Sequence, residues 1–241
     1  MSKVGLLQFD PTVGDLEQNC RRLTALAEQA ERSGADVGVS TELAVCGYPP
    51  RDLLMERDFI HRSMDAALGI KTAIPVLIGT PIPAADERTL PTNGVVRSGP
   101  TSGSITDDVQ SRIVAEKQLL PTYDVFDEAR YFAAKNRSGL ARSIGGLTLG
   151  VTVCEDAWQS AGLTPSNYAQ DPIEHIAEWC RQGVAIDATV NLSASPFHNE
   201  KFSTRLAVAR HAAAVLNHPF LLANQVGGND DLLFDGRSLV A

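Results

Sequence analysis

Basic residues are scarce in this sequence: 21 lysines and arginines stand against 29 aspartates and glutamates, a formal charge of -8 at pH 7. That deficit argues against an extended nucleic-acid-binding face, which needs lysine and arginine clustered on one element. Long apolar runs are missing as well. None approaches the roughly 18 residues that a membrane helix requires, and the opening MSKVGLLQFD enters an alternating pattern with no signal-peptide architecture. A cytoplasmic chain without a membrane segment is expected. Cysteine is limited to Cys20, Cys46, Cys154 and Cys180, far apart and without a C-x-x-C pair. Neither a zinc knuckle nor a thioredoxin-like site is indicated, and reduced thiols are expected. The sequence also lacks a G-x-S-x-G elbow, a G-x-x-x-x-G-K-[ST] phosphate loop and an H-E-x-x-H pair. With no internal repeat, low-complexity run or linker, all 241 residues read as one domain.

What is present patterns as α/β. Residues 3–9 read as a strand, and Asp15 caps a helix with apolar positions Leu16, Cys20, Leu23, Ala27 and Ala30 that Gly34 ends. Residues 37–39 form a short strand running into Ser40, Thr41 and Glu42. A helix over 53–68 behind an Asp52 cap and a buried strand over 75–80 complete a β-α-β-α-β opening. Over 81–103, proline, glycine, serine and threonine predict loops between antiparallel strands, with a short strand at Val95 and Val96. Residues 113–115 then lead to Lys117. Strands 140–144 and 147–153 pair across Gly145 and Gly146, able to supply the positive φ of a tight hairpin, and Cys154 ends the second. Asp171, Pro172 and Gly183 punctuate a further helix, followed by a strand over 188–192, a helix over 200–216 and a strand over 220–223. Several strands lack polar alternation, as expected when two central sheets are each covered on both faces.

Cys154 lies in VTVCEDAW, after an apolar strand and before two acids. Alone, a cysteine there is a packing residue, and Glu155 and Asp156 would raise its pKa. Lys117 alone is a solvated lysine and Glu42 alone a turn carboxylate. Together, a thiol, an amine and a carboxylate at three strand ends form a complete acyl-transfer set: the thiol attacks, the carboxylate accepts its proton and the ammonium steadies the oxyanion. A papain-like pairing with one of the 5 histidines finds no supporting signature around any cysteine.

In order, residue type and flanks, TELAVCGYPPRDLL, EKQLLPTYDVFDEARYF and VTVCEDAW resemble the three motifs of the nitrilase-like carbon-nitrogen hydrolases. Within that superfamily, G-Y-P-P-R-D-L-L, P-T-Y-D-V-F-D-E-x-R-Y-F and ANQVGGNDDLLFDGRS are most similar to the N-terminal glutaminase domain of glutamine-dependent NAD synthetases. The resemblance runs from Val4 to Ser238 and implies a four-layer α-β-β-α sandwich. It implies Glu42 as general base, Lys117 as oxyanion stabiliser and Cys154 as nucleophile in releasing ammonia from glutamine. Tyr123, Ser195 and Lys201 match positions that hold the α-amino and α-carboxylate groups of glutamine, and Glu155 and Trp158 are further pocket candidates. By the same resemblance no metal or cofactor serves the amidase step, ATP and magnesium belong to a synthetase domain absent from these residues, and the chain forms a homo-oligomer. The family fold continues through further strands after FDGRS, so an incompletely covered sheet edge is expected. Two other readings stay open: a free-standing amidase acting on another small amide, and a non-catalytic interaction domain of the same fold. The segment 159–170 reads as a long loop of no assigned role.

Overall fold

Alternation along the buried strands sorts their side chains into two opposed layers, and this builds the architecture. The computed structural model describes residues 2–86, 88–100, 108–135 and 139–241, the side chain of Arg142 apart. One sheet holds β1 (Val4–Leu6), β2 (Val37–Val39), β3 (Val76–Ile82), β4 (Thr92–Ser98) and β5 (Ile113–Glu116) in that order, the first three parallel and the rest antiparallel. β6 (Gly139–Ile144), β7 (Leu147–Val153), β8 (Ala188–Ser193) and β9 (Phe220–Asn224) belong to the second sheet, in which β7, β8 and β9 run parallel. A hairpin of β10 (Val226–Asn229) and β11 (Leu232–Asp235) follows, and β12 (Leu239–Val240) returns antiparallel along β9.

On β3, Leu77 joins Val39, Val95, Val151 and Val190 in a core between the sheets. Its neighbours Val76 and Ile78 point the other way, onto Leu23 and Ala27 of α1 (Leu16–Arg32) and Met64 and Ala67 of α2 (Arg57–Gly69). α3 (Val109–Arg112) is a single turn leading into β5. On β9, Leu221 and Ala223 face the inter-sheet core, while Phe220 and Leu222 meet α4 (Pro172–Arg181) and α5 (Lys201–Leu216) through Ile176, Val208 and Ala212. Each such aliphatic side chain contributes about 1.5–3 kcal/mol by leaving water. The layers are therefore α-β-β-α, as the resemblance implied. Among the described residues, no helix is long and apolar enough to cross a membrane.

Local signals behave as their chemistry requires. The Asp15 carboxylate accepts from the Gln18 N–H at the start of α1, and Asp171 accepts from Ile173 and Glu174 N–H at the start of α4. Gly145 and Gly146 take φ of +55° and +76°, the pair of positive values a two-residue hairpin turn needs.

Three readings need correction. The helix expected over 53–68 splits into a 3₁₀ turn (Arg51–Met55) and α2, with Glu56 at the cap position. Among the described residues Asp52 caps neither element; its carboxylate accepts from the Tyr131 hydroxyl at 2.9 Å. The strand placed at Val95 and Val96 extends over seven residues, because β4 pairs with β3 along its whole length. The strands after β9 went unforeseen, and β12 pairs Leu239 with Leu222 and Val240 with Leu221 along the β9 edge.

Candidate active site

Four strands deliver their carboxyl ends to one place. β2 runs out into Glu42, β5 into Lys117, β7 into Cys154, and β8 ends on Ser193. The chain carrying Glu42 crosses β3 at Gly79, where a Cβ would lie 2.5 Å from the Thr41 carbonyl oxygen, so glycine is required for the crossing. Glu42 is fully buried. Its Oε1 accepts from Lys117 Nζ at 2.7 Å and Asn93 Nδ2 at 2.8 Å, and its Oε2 accepts from the Ala194 N–H at 3.0 Å.

Lys117 is fully buried too, and it bridges two carboxylates: Nζ lies 2.7 Å from Glu42 and 2.8 Å from Glu128. Burial by itself pushes the Lys117 ammonium pKa down, but Glu128 and Glu42 outweigh it and the net direction is upward, so the group stays charged. Glu128 also accepts from the Tyr48 hydroxyl at 2.8 Å. Its burial raises its pKa to about 7 against the pull of Lys117.

Cys154 sits at the end of β7 with φ of +42°, a left-handed conformation costly for a residue with a Cβ. The bend is held from both sides. Asn191 Nδ2 donates to the Cys154 carbonyl at 3.2 Å, and the Ser193 hydroxyl donates to its sulfur at 3.4 Å. Asp156 accepts from the N–H groups of Val153, Gln118 and Leu119 at 2.9–3.0 Å, tying the turn after Cys154 to the chain after Lys117. Burial, then the Glu42 carboxylate, push the Cys154 thiol pKa up, with Lys117 and Ser193 pulling it down only in part. The resting sulfur is a thiol. A thiol acts as a nucleophile only once its proton has passed to a base, and Glu42 is the carboxylate that acts most strongly on Cys154.

A single model for the family described as carbon-nitrogen hydrolase matches residues 3–241. The chain belongs to this family. Carbon-nitrogen hydrolase relatives include the glutamine-dependent NAD(+) synthetase of Synechocystis sp., 36% identical over 99% of this chain and 42% of its own length. The structure of glutamine-dependent NAD+ synthetase from Acinetobacter baumannii, in complex with ADP, superposes with a TM-score of 0.79 at 27% identity, over all of this chain and 41% of that one. An amidase from Nesterenkonia sp. shares the fold at a TM-score of 0.71 and 18% identity, over all of this chain and 82% of that one. The chain thus spans about two fifths of the synthetase relatives it matches.

The five pocket residues expected for this carbon-nitrogen hydrolase fall into two pairs and one apart. The Tyr123 hydroxyl lies 2.9 and 3.0 Å from the two oxygens of Glu155. The Lys201 ammonium, at the start of α5, sits 4.3 Å above the Trp158 ring centroid, a cation-π distance. Ser195 is buried and gripped through its backbone by Asn224, and among the described residues it bonds to none of the other four. Sequence reasoning passed over Glu128, Tyr48, Asn93, Ser193 and Asp156. Tyr48, Glu128 and Asp156 lie inside the three quoted motifs, so their signal was in hand, whereas Asn93 and Ser193 are ordinary strand residues until the sheets are stacked. Among the described residues, no cluster of His, Cys, Asp and Glu has the arrangement of a metal site.

Proposed function

We propose that this chain is a glutaminase unit that releases ammonia for a glutamine-dependent NAD synthetase, with Cys154 as nucleophile. The observation carrying this reading is the buried Lys117 ammonium clamped by Glu42 and Glu128 where the turn carrying Cys154 arrives. Glu42 takes the Cys154 proton as the sulfur bonds to the carboxamide carbon, and Lys117 stabilises the oxyanion. Glu42 then returns the proton to the nitrogen as the C–N bond breaks, and ammonia leaves a γ-glutamyl thioester on Cys154. Water, deprotonated by Glu42, attacks the thioester carbon; the C–S bond breaks, the sulfur regains a proton and glutamate departs.

Glu155 with Tyr123 offers an acceptor to the substrate α-ammonium, while Lys201 and Ser195 serve its α-carboxylate, with Trp158 as an apolar wall. No cofactor or metal enters these steps. Amidation of deamido-NAD with ATP and magnesium belongs to a synthetase domain outside these 241 residues. A single hydrolase domain, homo-oligomeric assembly and a cytoplasmic location complete the reading.

Ammonia and glutamate release, measured for the chain and Cys154→Ala on glutamine, asparagine and simple aliphatic amides, tests it. Glutamine-selective release that vanishes with Cys154 is expected. Release from other amides but not from glutamine would overturn the substrate assignment.

A further inference from the structure

Glu155 is a buried carboxylate with an unusual set of partners. Three hydroxyls converge on it: Tyr123 at 2.9 and 3.0 Å from its two oxygens, Thr164 at 2.8 Å and Tyr168 at 3.2 Å from Oε1. Thr164 and Tyr168 therefore both donate to Oε1, while Tyr123 shares its single proton between the two oxygens, leaving Oε2 the less occupied. Among the described residues, no cation lies within ion-pair distance, and Lys201, whose field reaches Glu155, rests its ammonium on Trp158. A buried carboxylate without a counter-charge is costly unless something supplies the charge. Its free lone-pair capacity is on Oε2, one residue along the chain from Cys154.

Thr164 and Tyr168 both come from the 159–170 segment, and that segment is internally braced. The Gln159 side-chain amide donates to the Tyr168 carbonyl and accepts from the Tyr168 N–H, each at 3.4 Å. The Gly162 N–H donates to the Gln159 carbonyl at 2.9 Å. Thr164 Oγ1 accepts from the Ser166 N–H at 3.2 Å, which leaves its own proton to point at Glu155.

We propose that Thr164 and Tyr168 are positioning residues that saturate Oε1 of Glu155 and turn Oε2 toward the ammonium of an α-amino amide substrate. The 159–170 segment thereby selects for amides carrying that ammonium. The inference rests on the glutaminase reading above and assigns its selectivity to residues outside the quoted motifs.

Thr164→Val and Tyr168→Phe, singly and combined, are tested on glutamine and on its analogue lacking the α-amino group. The double variant should raise the KM for glutamine about tenfold or more, the scale of losing hydrogen bonds to a charged group. It should leave kcat on glutamine and kcat/KM on the analogue within about twofold of wild type. Thr164→Ser should restore the KM that Thr164→Val loses. An equal loss on both substrates would mean a purely structural role, and an unchanged KM would mean that Glu155 needs no such support; either overturns the proposal. Wild-type protein that does not discriminate between the two amides would instead overturn the glutamine reading itself.

Discussion

Lys117 and Glu155 are both buried charges, yet they are balanced in opposite ways. Around Lys117 the protein supplies its own counter-charges: Glu42 and Glu128 touch the ammonium, and Asn93, Tyr48 and the Ala194 N–H take up further carboxylate lone pairs. Around Glu155 it supplies neutral hydroxyls and leaves one oxygen under-used. A buried ammonium that already has its counter-charges without ligand is suited to bond-making, because it is held in place before charge develops. A set that lacks one cation is suited to recognition, because the ligand completes it. Under the proposed function, chemistry and selectivity are separated by a single peptide bond, between Cys154 and Glu155.

Breaking the first set should have the largest effect. Lys117→Met leaves two buried carboxylates facing each other, so stability should fall by about 3–5 kcal/mol in denaturant titrations, and ammonia release should vanish. A variant as stable as wild type would show that the cage is not held by charge. Glu42→Gln keeps the shape but turns an N–H group toward the Ala194 N–H or loses the bond from Lys117. Its kcat on glutamine should drop by about 10²–10⁴, with KM little changed.

The second set should respond in the other parameter. Glu155→Gln should raise the glutamine KM by about 10–100-fold with far less loss on the amide lacking an α-amino group. Loss of kcat alone would erase the division between the two sites.

The smallest effect concerns Asp156, which braces both regions and whose pKa burial raises to about 7 despite three N–H donors. A raised acid binds its proton more tightly in the folded state. Its contribution is whole below the unfolded carboxylate pKa near about 4 and is lost as pH climbs through the folded value. Wild-type Tm should therefore fall relative to Asp156→Asn between pH 5 and pH 8; parallel Tm profiles would contradict this.

Much of this is legible in the sequence. Asp15, Asp171, Pro172 and the Gly145-Gly146 turn act through backbone chemistry within a few residues, and the structure uses them as expected. Glu42, Lys117 and Cys154 could be picked out as candidates because each follows an apolar strand in a distinctive flank, and the structure brings them together. The Asp52 cap failed because a tertiary partner, Tyr131, captured its carboxylate. Glu128 escaped because it reaches Lys117 only after the chain turns back on itself, with its N–H bonded to the Pro121 carbonyl at 3.1 Å. The β10–β11 hairpin is short and glycine-containing, so its composition reads as a turn rather than a strand pair.

Under the proposed function Cys154 carries a γ-glutamyl group during turnover. Intact-protein mass spectrometry with peptide mapping, on wild-type protein mixed with glutamine and quenched in acid within the first turnover, tests this directly, since acid halts hydrolysis of the thioester. A γ-glutamyl adduct is expected on the peptide containing Cys154, and none in Cys154→Ala. Glutamate release by Cys154→Ala, or an adduct on Cys20, Cys46 or Cys180 instead, would contradict it.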